Sequence, residues 1–205
     1  LLAGGGVVAY RLERLGRGHA ERLMPMVLEV VAEAGIDFPA LDRLAVTIGP
    51  GTFTGVRIGL AAARGLAIAA ARPLVGVTTL ETLAFQARDA ASPGGIAAAV
   101  AAGPGWVYLQ VFGPDLAPAG PPAALPLAEA AQRIPPGAVL AGDIEPELAA
   151  KLSPGVVLRP AVLDARAVGL LAERHPLPAR PPAPLYVRAP DARLARRPPW
   201  AEAPG

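Results

Sequence analysis

A parallel α/β fold is predicted by three observations. Over residues 44–90 the chain runs in the order strand, glycine loop, helix, strand, helix, the pattern of parallel α/β architecture. Of its 205 residues 53% are hydrophobic but only 4% aromatic, so the core must be aliphatic. There are no cysteines, which excludes disulfides and thiolate metal sites and leaves nothing pointing to an oxidising compartment.

The elements follow in order. Val7 to Leu12, after Gly4-Gly5-Gly6, reads as a hairpin turn and a strand. From Ala20 to Ala34, Leu23, Met26, Val27, Val30, Val31 and Ala34 carry the spacing of an amphipathic helix, with Gly35 as its stop. Pro25 is tolerable only within about the first turn or as a bend. Leu44–Ile48 is a strand, Val56–Ala71 an alanine-rich helix, Leu74–Val77 a strand and Leu80–Ala90 a helix.

Around Ser92-Pro93-Gly94-Gly95 the chain crosses into a second unit. Ile96–Val100 and Val107–Phe112 are strands. Residues 113–137, rich in Pro, Ala and Gly, read as a loop with a short helix near Ala128. Val139–Ala141 and Val156–Leu158 are strands, and Asp164 caps a helix to about Glu173. The proline-rich stretch beyond His175 is expected to end in a mobile tail. The expected division is a first lobe over 1–91 and a proline-rich, abbreviated second lobe over 92–205.

No apolar run approaches the ~20 residues of a membrane helix, because Arg64 and Arg72 interrupt the most apolar stretch. No secretion signal is visible, so a cytoplasmic protein without membrane contact is expected. The net charge of +2 is too small to imply nucleic-acid binding by itself. Arg57 and Arg64 share a helix face and read as a solvated edge, with Arg72 favouring the helix C-terminus. Contact with tRNA phosphate or a partner carboxylate is the other reading. Arg188, Arg193, Arg196 and Arg197 form a second basic cluster in the tail.

The loop Gly49-Pro50-Gly51-Thr52-Phe53-Thr54-Gly55 carries the most information. Its glycines allow a tight turn and aim backbone N–H groups above the following helix, where phosphate would fit. A close-packed connection without ligand would use the same residues. It is not a Walker loop, because Gly55 is followed by Val56 and Arg57 rather than Lys-Ser/Thr. It misses the dinucleotide fingerprint too: Thr54 stands where the third glycine falls, and Thr78 and Thr79 stand where a ribose-binding acid belongs.

The run Ala45 to Gly59 resembles the TsaB (YeaZ) family and its G-P-G-S/T-F-T-G-x-R-I/V-G signature. Ala63-Arg64-Gly65-Leu66-Ala67, Pro73 to Ala84, His19 to Pro25 and Pro184-Leu185-Tyr186-Val187-Arg188 resemble other stretches of that family. The resemblance implies an actin/sugar-kinase/Hsp70-like (RNase H-like) two-lobed fold. It implies a subunit of the machinery that makes N6-threonylcarbamoyladenosine beside the anticodon of tRNAs. In that family the catalyst is the metal-bearing paralogue TsaD. TsaC supplies threonylcarbamoyl-AMP, and TsaE is an ATPase joining the complex. The implied partners are therefore a TsaD-type enzyme and a TsaE-type ATPase, with tRNA contacted indirectly and a homodimer when alone. No cofactor is assigned beyond ATP or ADP at the partner interface, with contacts at Gly49, Pro50, Gly51, Thr52, Phe53, Thr54, Gly55 and Arg57.

The catalytic paralogue carries two histidines at i and i+4, where this chain has Thr79 and Leu83. Leucine cannot ligate a metal, and the histidines here, His19 and His175, are far apart. His19 reads as a helix-start residue and His175 as a surface one, so neither a catalytic nor a metal residue is assigned. The expected docking surface is Leu23, Met26, Val27 and Val30 of one helix with Gly55, Gly59, Ala62 and Ala63 of the next. Burial of that second helix inside its own lobe is the alternative. Two departures from the family stand out. Its apolar first strand, ending in Asp-Thr, precedes the residue matching Leu1, so the fold is expected without its N-terminal strand. The family's D-A-R-x-x-E-V-Y reads Ala101-Ala102-Gly103-Pro104-Gly105-Trp106-Val107-Tyr108 here. A self-contained ATP-binding enzyme of the same fold is the rival reading.

Overall fold

The computed structural model describes residues 1–90, 93–143 and 146–188. Ser92 and the arginines at 193, 196 and 197 lie outside the described residues. The chain opens with a hairpin of β1 (Leu2–Ala3) and β2 (Gly6–Val7). The strand expected over 7–12 is thus only its first residue. Charged residues from Arg11 onward end the apolar run, and the segment instead lies along the next helix through Arg11–Glu33 and Glu13–Arg22 ion pairs.

Helix α1 (His19–Ala34) ends where expected, at Gly35 with φ 65°, the left-handed geometry glycine adopts without strain. Pro25 lies well inside it, beyond the first turn. Strand β3 (Leu44–Thr47) leads into the glycine loop and helix α2 (Phe53–Ala70). That helix starts three residues before the expected Val56, because the Thr52 side chain caps it by accepting the Gly55 N–H at 3.3 Å. A Cβ on Gly55 would stand 2.7 Å from that hydroxyl oxygen. Strand β4 (Leu74–Val77) pairs parallel with β3, in register from Leu44–Leu74 to Thr47–Val77. Thr78 caps α3 (Thr79–Gln86), and the remainder of the expected helix is a 3-10 turn over Arg88–Ala90.

Five strands form the larger sheet: β5 (Ile96–Ala101), β6 (Trp106–Phe112), β7 (Ala123–Pro126), β8 (Val139–Gly142) and β9 (Val157–Pro160), in the order β7-β6-β5-β8-β9. Strand β5 runs parallel to β8 and antiparallel to β6. Helix α4 (Leu127–Arg133) realises the helix expected near Ala128. Strand β7 and the single turn α5 (Pro146–Ala149) were not legible in the sequence. An edge position explains how β7 ends in proline.

Alternation along β5 and β8 builds two cores. Ile96, Ala98, Val139 and Ala141 face α3 through Leu80, Leu83 and Ala84. Ala97, Ala99 and Leu140 face α4 and Leu148 of α5. Both faces are covered, hence the unbroken apolar run Ile96–Val100. Helix α6 (Ala165–Arg174), capped by Asp164 as expected, packs Val168 and Leu171 against Val75, Val77 and Phe85. Phe85 ties α3 to α6, so one helix layer serves both sheets.

Candidate functional site

Helices α1 and α2 carry the expected docking residues, and their exposure sets them apart from the other described α-helices. No residue of α1 is buried; in α2 only Leu60 and Ala70 are. Leu23, Met26, Val27 and Val30 are half-buried, whereas Leu28, 54% exposed, and Met24 face outward. On α2, Gly55 is exposed and Gly59, Ala62 and Ala63 are half-buried. The most open stripe instead runs through Thr54, Arg57, Ala61, Gly65 and Ile68, and Ile68 is 81% exposed. At 100° per residue this stripe lies away from Leu60 and Ala70, which pack inward. The sequence pattern alone could not choose between these faces, because small and apolar residues occupy most of the circumference.

By length and composition alone, α2 is apolar enough to cross a membrane, with its 18 residues 11% buried. This corrects the expectation that no stretch qualifies: two arginines are outweighed by the alanines, leucines and isoleucines around them. Both arginines are engaged within the chain. Arg57 donates to the Tyr186 hydroxyl at 3.0 Å and Arg64 to the Pro182 carbonyl at 2.5 Å. Arg57 stays exposed, as a solvated edge expects, while Arg64 is half-buried; both also fasten segment 181–188, a strap along α2. Arg72, at the C-terminal end of α2, donates to the Pro39 carbonyl.

The strap reaches the glycine loop. Leu185 donates its N–H to the Ile48 carbonyl at 2.8 Å. Gly49 and Pro50 are buried, and the Gly49 carbonyl accepts the Thr79 N–H at 2.8 Å. A Cβ on Gly49, where φ is 103°, would approach the Leu185 carbonyl to 3.0 Å. Thr52, Phe53, Thr54, Gly55 and Arg57 are exposed, with Gly51 half-buried between the two groups. The loop is thus gripped by the strap and α3 on one side and open on the other.

Thr79 and Leu83 are both buried, and Leu83 packs against the five-stranded sheet. His175 is not a free surface residue: its Nε2 lies 2.8 Å from Glu81 Oε1, half-buried, and links α6 to α3. That pairing joins residues 94 apart in the chain, beyond what local pattern reveals. Arg188 lies over the Trp106 ring, 4.5 Å from its centroid.

A glycine loop between parallel strands, feeding an exposed helix and followed by a second, larger sheet, defines an α/β protein of the actin/sugar-kinase/Hsp70 (RNase H-like) type. A family model described as TsaD, tRNA N6-adenosine threonylcarbamoyltransferase, matches residues 4–170. Among solved structures, a Pseudomonas aeruginosa protein described as similar to the peptidase YEAZ matches at 31% identity and a TM-score of 0.74, over 86% of this chain and 87% of that one. The YeaZ of P. aeruginosa matches at 32% identity and a TM-score of 0.65, over 76% of each chain. The chain belongs to this family, on its TsaB (YeaZ) side. Escherichia coli TsaB, a tRNA threonylcarbamoyladenosine biosynthesis protein, is 38% identical over 110 residues, 54% of this chain and 48% of that protein. The tRNA N6-adenosine threonylcarbamoyltransferase of Erythrobacter litoralis is 47% identical over 88 residues, 43% of this chain and 25% of that protein. The chain therefore spans between a quarter and about half the length of these curated relatives.

Proposed function

We propose that this chain is a non-catalytic subunit that binds and activates a TsaD-type enzyme making N6-threonylcarbamoyladenosine next to the anticodon of tRNAs. The observation that carries this reading is the uncovered pair of helices. Two helices of 16 and 18 residues share only two buried residues between them, which is a large unsatisfied apolar surface for a free-standing fold. A second helix pair laid against it would bury on the order of 1,200–2,000 Å² in total, the size of a stable interface. Relatives named for threonylcarbamoyladenosine biosynthesis and for the transferase itself support a TsaD-type enzyme as that partner.

The non-catalytic half of the reading rests on Leu83. It occupies the second of the two positions at which the resemblance places the enzyme's histidines, and its side chain is built into the core. An autonomous enzyme of the same fold would need its donors elsewhere. The remaining parts of the proposal follow from the family: a TsaE-type ATPase in the complex, a homodimer when the chain is alone, ATP or ADP at the partner interface, and a cytoplasmic location without membrane. The lobe division at 91/92 belongs to the same reading.

Reconstitution tests it. Threonylcarbamoyl transfer to tRNA is measured with the TsaD-type enzyme alone, this chain alone, and both. Activity only in the mixture, or strongly raised in it, supports the proposal. Transfer by this chain alone refutes it.

A further inference from the structure

The strap brings together aromatic and arginine side chains at the N-terminal end of α2, where its open stripe begins. In a chain with only 4% aromatic residues, Phe53 and Tyr186 are the two aromatics among the exposed large apolar side chains of the described residues, at 45% and 46%. They are neighbours. Their rings stack with centroids 5.6 Å apart and planes inclined by 29°. The Arg57 guanidinium lies 3.5 Å from the Phe53 centroid and 5.9 Å from that of Tyr186. On opposite faces of Phe53, the guanidinium and the Tyr186 ring would be separated by nearly the sum of their distances to it. At 5.9 Å they are not on opposite faces of it, and Phe53 stays 45% exposed beside both. Two residues beyond Tyr186, Arg188 sits over Trp106, and the backbone limits the two Cα atoms to about 7 Å apart.

Packing within the chain does not account for this arrangement, since rings placed for burial there would be covered. The hydrogen bond from Arg57 to the Tyr186 hydroxyl instead holds exposed rings in a fixed order, which lowers the entropic cost of using them as a platform. The geometry points to a base-stacking surface for unpaired RNA, in which Phe53 and Tyr186 offer ring faces and Arg57 places positive charge beside them for the phosphates. The inference rests on the role in tRNA modification proposed above and deepens it: the chain touches RNA directly rather than only through its partner. A net charge of +2 means that stacking, not bulk electrostatics, supplies the affinity.

The test uses the full chain, alone and with the TsaD-type enzyme. Two fluorescent probes are followed by anisotropy: an unstructured single-stranded RNA of about a dozen nucleotides and an unmodified tRNA transcript. Phe53→Leu keeps apolar bulk but removes the ring face, and should weaken RNA binding roughly 5- to 150-fold. Tyr186→Phe keeps the stack but loses the hydrogen bond that orders it, and should weaken binding by less than Phe53→Leu does. Enzyme binding is measured in parallel, without nucleotide, and Phe53→Leu should weaken it far less than it weakens RNA binding. Unaltered RNA affinity in Phe53→Leu, or no RNA binding by the chain or its complex, overturns the inference. Loss of RNA and enzyme binding together also overturns it, by assigning the rings to the protein interface. If the parent chain fails to bind the enzyme while RNA binding still depends on Phe53, the docking proposal falls and the RNA surface stands.

Discussion

The Arg64 guanidinium donates a hydrogen bond to the carbonyl oxygen of Pro182, 118 residues further along the chain, at 2.5 Å. It fastens the strap to the middle of α2, between the Tyr186 hydroxyl near the helix start and the open stripe around Ile68. The strap thereby becomes part of the first sheet's surroundings, and the stability of α2 depends on residues at the far end of the sequence.

Arg64→Met should therefore loosen the strap. It retains the apolar stem and deletes the donor, at a cost of about 1–2 kcal/mol for a half-buried charged hydrogen bond. The urea midpoint should fall at constant slope, and the Leu185 amide, bonded to the Ile48 carbonyl, should exchange faster. An unchanged midpoint and unchanged Leu185 protection would detach the strap from the fold's stability.

Two glycine substitutions should have opposite signs. A Cβ on Gly76 would stand 2.7 Å from both Ile48 Cγ2 and Pro182 Cβ, so Gly76→Ala must displace the strap and should cost about 1–3 kcal/mol. A Cβ on Gly65 meets nothing within 4 Å. Gly65→Ala should stabilise the isolated chain by about 0.5–1 kcal/mol through helix propensity. Thermal or urea unfolding of both variants checks the pair.

Asp164 predicts an acid limb. Burial pushes its carboxyl pKa up, but hydrogen bonds from the Arg166 side chain and backbone N–H together outweigh this and hold it below the ordinary value of 3.8. The folded state thus favours the carboxylate. Its contribution is present above the unfolded pKa and is lost as the pH falls through the depressed folded value. Stability should decline below about pH 4. Asp164→Asn, which keeps a capping oxygen, should flatten that decline while leaving α6 formed. Urea midpoints at pH 3 and pH 6 for both proteins measure it.

Local pattern revealed what local physics decides. The apolar spacing of α1, its glycine stop, the β3–loop–α2–β4 order and the Asp164 cap all follow from neighbours in sequence. Strand β7 was hidden because Ala123–Pro126 looks like loop until β6 supplies its hydrogen-bonding partner. The partners of Arg57, Arg64 and His175 were hidden because they lie 94 to 129 residues away. The open face of α2 was likewise hidden, since its direction is set by where β3 sits and not by the helix's own composition.

The exposed α1–α2 face is the centre of the account, and one titration tests it most directly. Isothermal titration of the full chain into the TsaD-type enzyme is compared for the parent and for Ile68→Glu combined with Leu28→Glu, both at open positions where a carboxylate leaves the fold intact. The account predicts saturable binding by the parent and none by the double variant, with unchanged circular dichroism. Equal affinity of the two would contradict it.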